Sequence, residues 1–167
     1  ALNLKDDINK TFKLMDKDNY IRVAKALLRA TTVYVFARGT SKSCGYHLNH
    51  LLLTIGVKCV FVRDYNLLTL VAETLKPEEA VVLISLSGKT EKIIAVAKVA
   101  RVKEATTIAI TSFENNELSR LTDYSLHCSS ENTETKYNDS NSRMGIFLII
   151  EMLVEYIKEQ QLLDGIM

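Results

Sequence analysis

The stretch VVLISLSGKTEKIIAV, Val81 to Val96, admits few folds. Its strand, read at Ala80 to Leu86, carries Val, Leu and Ile at consecutive rather than alternate positions as far as Ile84. A strand that is apolar on both faces must be covered on both faces, which is the habit of parallel sheets sandwiched between helices. After Gly88 the pattern becomes Ile93, Ile94, Ala97 and Ala100, one face of a helix. The hydroxyl-rich turn between them therefore sits at a helix start. Free backbone N–H groups and the positive end of the helix dipole converge there, which suits an anion, most naturally a phosphate. The plain alternative is that Ser87 and Thr90 only cap the helix.

Gly88-Lys89-Thr90 resembles the end of a Walker loop, but the position five residues earlier, which such a loop needs as glycine, is Leu83. That argues against a triphosphate cradle. A second turn of the same design lies upstream in VYVFARGTSKSCGYHLNHLL. There the strand Val33 to Ala37 leads into Gly39 with Thr40, Ser41 and Ser43, followed by Leu48, Leu51 and Leu52 at helical spacing. Only six glycines occur in the chain, and two of them sit in hydroxyl-rich turns directly after a strand. Two such loops from one parallel sheet open at its carboxyl edge, where open α/β folds bind ligands beside a topological switch point.

Further strands are expected at Lys58 to Val62, Thr107 to Thr111 and Tyr124 to His127, with helices at Lys42 to Ile55, Asn66 to Leu75 and Glu91 to Lys103 and a short turn at Glu117 to Leu121. An amphipathic helix is expected over FKLMDKDNYIRVAKALLRA, before the first strand, and a long one from Met144 to Gln160. This alternation implies a parallel sheet with right-handed crossovers. At 167 residues the chain is one domain. The single proline, Pro77, interrupts no element. With 47% hydrophobic residues, 25% charged and a net charge of +1, the chain reads as globular and cytoplasmic, and it lacks the basic excess needed to grip nucleic acid alone. No run is long enough to span a membrane. Cys44, Cys59 and Cys128 form no CxxC pair and read as reduced thiols.

The polar stretch SSENTETKYNDSNSR, Ser129 to Arg143, reads equally as a surface loop or as a lid over the strand ends. Arg143, at the start of the last helix, can reach a sugar hydroxyl, a carboxylate or a phosphate, or be an ordinary surface arginine. His47 and His50 are three apart on one helix, but two ligands without a third make no convincing metal site. The last helix, with Met144, Phe147, Leu148, Ile149, Ile150, Met152, Leu153, Val154 and Ile157, is apolar around much of its girth, and a partner subunit is expected to cover what one sheet face cannot.

Gly-Thr-Ser after the first strand, Ser-x-Ser-Gly-x-Thr after the third, an early helix before the sheet and a Ser-Arg pair opening the last helix together resemble the sugar isomerase (SIS) domain. The resemblance covers almost the whole chain. It is strongest to the ligand-sensing half of RpiR-type transcriptional regulators, through LLRATTVYVFARGTS, VVLISLSGKTEKIIAVAKVAR, TIAITSFENNELSRLTDYSLHC and SNSRMGIFLIIEMLVEYI. It implies a three-layer α/β/α sandwich around a five-stranded parallel sheet, flavodoxin-like in order, which dimerises or forms a higher homo-oligomer.

The resemblance further implies that Ser85, Ser87 and Thr90, with the Gly88 backbone, hold the phosphate of a phosphorylated sugar. Gly39, Thr40 and Ser41 would contact the sugar or that same phosphate, and Asn66, Glu134 and Arg143 are candidate sugar contacts. No cofactor and no metal are implied. Residues 1–167 are read as a single phosphosugar-binding domain, with DNA bound only through an N-terminal helix-turn-helix domain expected to lie outside this chain. The rival reading is a free-standing aldose–ketose sugar-phosphate isomerase, which needs a general base, with Glu131 and Glu134 as candidates, and often a ring-opening histidine. Where SIS isomerases and many sensors place a histidine after the second strand, this chain has RDYNLLTL, with Tyr65 and Asn66. That favours a sensor over an enzyme. Ser112, after the fourth strand, is expected to stand apart from the phosphate loop.

Overall fold

In the computed structural model, which describes residues 2–112, 115–130 and 141–165, five strands form one all-parallel sheet. They are β1 (Val33–Phe36), β2 (Cys59–Val62), β3 (Ala80–Ile84), β4 (Thr106–Ser112) and β5 (Tyr124–Cys128), in the order β2-β1-β3-β4-β5. This is the flavodoxin-like order expected from the sequence. The chain moves outward from β1 to β2, then crosses back to lay β3 on the other side of β1. Connections therefore leave β1 and β3 in opposite directions, and the loops after these two strands face each other across the switch point. Pairing runs Phe36 beside Leu83 and Ile84 beside Ile110, so the strands end nearly level.

Alternation within each strand divides the core into two layers. Val33, Val35, Val82, Ile84, Ile108, Ile110 and Leu126 point towards α2 (Lys17–Arg29), α3 (Lys42–Thr54) and α7 (Met144–Leu163), meeting Leu27, Leu48, Leu52, Ile149, Ile150 and Leu153. Phe36, Val81, Leu83 and Ala109 point the other way, towards α4 (Leu68–Ala72), α5 (Glu91–Val102) and α6 (Glu117–Leu121), meeting Leu68, Ile93, Val96, Ala97 and Leu118. Every residue of β3 is buried, which explains the unbroken apolar run. Each fully buried Leu or Ile contributes about 1.5 to 3 kcal/mol.

Three details differ from the sequence reading. The expected opening helix is two, α1 (Leu2–Leu14) and α2, because Asp16 leaves the helical region and caps α2, its Oδ1 accepting from the N–H groups of Asp18 (3.0 Å) and Asn19 (3.4 Å). The helix expected at Asn66 to Leu75 begins as a 3-10 turn, Tyr65–Leu67, and α4 is only five residues long. The apolar girth of α7 is largely covered within the chain, since α1, α2, α3, β4 and β5 all pack on it and Ile146, Ile149, Ile150, Leu153, Val154 and Ile157 are buried. Covering α7 therefore does not require a second subunit. Apolar side chains left exposed include Met144, Leu162 and Leu163 at the ends of α7, Leu4, Phe12 and Leu14 on α1, Val102 at the end of α5 and, on and beside the edge strand β2, a group formed by Tyr46 and Leu53 on α3, Val60, Leu67 and Leu70.

Candidate functional site

Ser85 closes the turn after β3. Its N–H donates to Ile110 O (3.1 Å), while its carbonyl and hydroxyl oxygens both accept from the Gly88 N–H (3.2 and 3.1 Å). The Ser85 hydroxyl is also 2.7 Å from that of Thr90, and Ser85 is only 2% exposed. Ser87, half-buried at the rim, accepts from the Lys89 N–H (3.1 Å). Ser85 thus shapes the loop, whereas Ser87 and Thr90 line its mouth. Thr90 stands at the N-cap of α5, yet its hydroxyl is turned to Ser85 and makes no cap bond. The first-turn N–H groups of this twelve-residue helix are left without the side-chain acceptor an N-cap normally supplies.

Gly88 has φ +68°, and a Cβ built on it would lie against the Asn116 side chain, 2.7 Å from its Cβ. Asn116 is 5% exposed and fixed on all sides. Its Nδ2 donates to Thr111 Oγ1 (2.8 Å) and Ser112 O (3.3 Å), and its Oδ1 accepts from the Ser119 N–H (2.8 Å) in the capping box of α6. Leu118 N–H donates to Gly88 O (3.0 Å), so the start of α6 forms the floor of the loop after β3. Sequence reasoning missed Asn116. Its visible signal was the N-cap pattern Asn116-Glu-Leu-Ser119, which announces a helix start but not what lies above it. Ser112 corrects an expectation too: both its hydroxyl and its N–H donate to Leu86 O, so it braces the loop rather than standing apart from it.

Across the switch point, Gly39, Thr40 and Ser41 form a 3-10 turn opening α3, with Gly39 at φ +60°. Ser41 is buried and receives the Arg143 Nε at 3.4 Å, while Arg143 Nη1 donates to Asn141 O (2.8 Å). Arg143 is only 7% exposed and is no ordinary surface arginine. The structure thus joins the first loop to the start of the last helix. Asn66 lies exposed on the 3-10 turn after β2, its N–H held by Asp64 Oδ1 (2.9 Å). Beside it the Tyr65 ring carries the Arg38 guanidinium carbon 4.5 Å and the Lys92 Nζ 4.9 Å from its centroid. Glu131 and Glu134 lie outside the described residues.

Several of the remaining reactive groups are committed elsewhere. His127 is held between Thr111 Oγ1 (3.0 Å at Nδ1) and Ser125 Oγ (3.1 Å at Nε2), and His47 pairs with Glu151 (2.8 Å). Burial pushes the Cys44 thiol up to about 11, against the opposing pull of the Ser43 hydrogen bond and the Arg143 charge. Burial also raises Cys59 and Cys128 to about 12. All three thiols are protonated and poorly nucleophilic near neutrality. Among the described residues no three His, Cys, Asp or Glu side chains gather as metal ligands, and no helix is long and apolar enough to cross a membrane.

Two hydroxyl-rich turns face each other across the switch point of a 2-1-3-4-5 parallel sheet, the place where open α/β folds bind ligands, and the chain belongs to the SIS domain family, whose profile matches residues 26–155. It is 29% identical over 160 residues to an uncharacterised HTH-type transcriptional regulator of Clostridium perfringens, covering 93% of this chain and 57% of the relative. The chain thus spans little more than half the length of that relative. The fold is shared with the sugar isomerase domain of an RpiR transcription factor from Sphaerobacter thermophilus (TM-score 0.84, 19% identity, 93% of this chain and 85% of that one). It is shared likewise with Vibrio vulnificus NanR, solved with ManNAc-6P (TM-score 0.85, 22% identity, 99% and 64%). A Methanococcus jannaschii protein for which a 3-hexulose-6-phosphate isomerase function has been inferred has the fold as well (TM-score 0.74, 20% identity, 95% and 88%).

Proposed function

We propose that this chain is the phosphosugar-sensing domain of an RpiR-type transcriptional regulator of carbohydrate metabolism. The phosphate monoester sits in the Ser85-Leu86-Ser87-Gly88-Lys89-Thr90 loop, and DNA is contacted by a helix-turn-helix domain elsewhere in the regulator. The observation that carries this reading is the uncapped first turn of α5, which presents backbone donors to a loop held open by Ser85, Gly88 and Asn116. A dianion accepts several charge-assisted hydrogen bonds there. Thr40 and Ser41, on the turn across the switch point, would contact the sugar or the same phosphate, and Arg143 and Asn66 would supply sugar contacts. Glu134 completes the set proposed from the sequence.

The site binds without turnover. An isomerase needs a base to move a proton between adjacent carbons and often a ring-opening histidine; among the described residues His127 is tied at both ring nitrogens, and the residues after β2 are Tyr65 and Asn66, which leaves Glu131 and Glu134 as the bases an isomerase would have to use. Incubation with a panel of hexose and pentose phosphates should return them unchanged. Product above the uncatalysed background with any of them reverses the assignment to isomerase.

The regulator domain acts as a homodimer. Exposed Tyr46, Leu53, Val60, Leu67 and Leu70 surround an edge strand, a combination that soluble chains normally bury against a partner. Sedimentation velocity at micromolar concentration should show a dimer, and Leu53→Glu should shift it towards monomer. A parent chain that sediments as a monomer overturns the proposal.

A further inference from the structure

We infer that the ligand carries a second anionic group, a carboxylate or another phosphate, and that Arg38, Tyr65 and Lys92 form its subsite. This rests on the phosphate reading of the β3 loop. Three separate segments meet at the Tyr65 ring. Arg38 directly precedes Gly39 of the first loop, Lys92 lies two residues beyond Thr90, and Tyr65 opens the turn after β2. Both cations lie within 5 Å of one ring centroid, at 4.5 Å and 4.9 Å. They are therefore closer together than the Debye length of about 10 Å at 0.1 M salt, so solvent screening leaves much of their repulsion in place.

The negative face of an aromatic ring offsets part of that repulsion. A carboxylate normally would offset the rest, yet neither Arg38 nor Lys92 forms an ion pair among the described residues. Asp64, next to Tyr65, has its carboxylate turned onto the Asn66 N–H (2.9 Å). Tyr65 remains 48% exposed, so the cluster is open to a ligand at the rim of the carboxyl edge. An anion placed there relieves the repulsion and can take two parallel N–H donors from the guanidinium, which a neutral sugar hydroxyl cannot exploit equally. Because the ring already holds both cations, little further ordering is needed on binding. The preferred class is thus a phosphosugar acid or a sugar bisphosphate.

The test uses matched pairs that differ by one anionic group: glucose 6-phosphate with 6-phosphogluconate, and fructose 6-phosphate with fructose 1,6-bisphosphate. Titration calorimetry at low salt should show the doubly anionic member of at least one pair binding about tenfold tighter or better. In an Arg38→Gln, Lys92→Gln variant that advantage should vanish while the singly phosphorylated sugar keeps its affinity within about threefold. Tyr65→Leu, which releases both cations from the ring, should reduce the advantage with no change in folding. Both pairs binding without any preference would overturn the subsite and leave the phosphate reading standing. A preference that survives in the double variant would overturn the assignment to these residues. If none of the four sugars and no inorganic phosphate binds, the phosphate reading fails and the subsite fails with it.

Discussion

Gly88→Ala should lower the stability of the domain by about 3 kcal/mol, with a fall of roughly 6 to 12 °C in melting temperature. Two costs add. At φ +68° a side chain enters the left-handed region, for about 1 to 2 kcal/mol. The new methyl also runs into Asn116, which cannot retreat without breaking its bonds to Thr111, Ser112 and Ser119. Leaving such buried groups unpaired costs about 1 to 3 kcal/mol. Gly56→Ala is the internal comparison, since Gly56 has φ +81° but nothing within 4 Å of a Cβ, and it should show the backbone cost alone. Thermal unfolding of both variants decides the matter. Equal losses at the two positions would mean that Asn116 does not hold the floor of the loop. The Gly88 variant should also lose its response to sugar phosphates, because α6 and the loop move together.

A sugar phosphate that fits the site should raise the melting temperature by roughly 5 to 10 °C at a hundredfold excess over its dissociation constant, which corresponds to about 2.7 kcal/mol. The unphosphorylated parent sugar at the same concentration should do nothing measurable. The asymmetry follows from the donors: a dianion gains charge-assisted bonds at the α5 start, while sugar hydroxyls mostly exchange water for protein partners. Ser87→Ala and Thr90→Ala should each shrink the shift, and the double variant should abolish most of it. Thr74→Ala, whose exposed hydroxyl donates to Val71 O (2.7 Å) away from the site, should leave it intact. Ser112→Ala is unsuitable as that control, since its hydroxyl supports Leu86. Equal shifts from sugar and sugar phosphate, or a double variant that responds like the parent, would sink the phosphate reading.

Much of this architecture was legible before any coordinates. The apolar run Val81 to Ile84, the change to helical spacing after Gly88 and the matching turn at Gly39 are local patterns, set by neighbours two to four residues away. They suffice to specify strand, turn and helix and to put hydroxyls at the turn. The break at Asp16 obeys a rule equally local, an N-cap residue inside a helical stripe, although the apolar period continues across it. Tertiary structure alone decided the rest. That Asn116 lies beneath Gly88, that Arg143 reaches Ser41 across 102 residues, and that Arg38 and Lys92 share the Tyr65 ring depends on how the strand ends line up and how each helix leans on the sheet. No periodicity records such contacts, because the residues involved obey their own local patterns equally well in any strand order. The same holds for α7: its sequence shows that most of its surface must be covered, while only the packing of α1, α2 and α3 shows that the chain covers most of it itself and leaves Met144, Leu162 and Leu163 exposed.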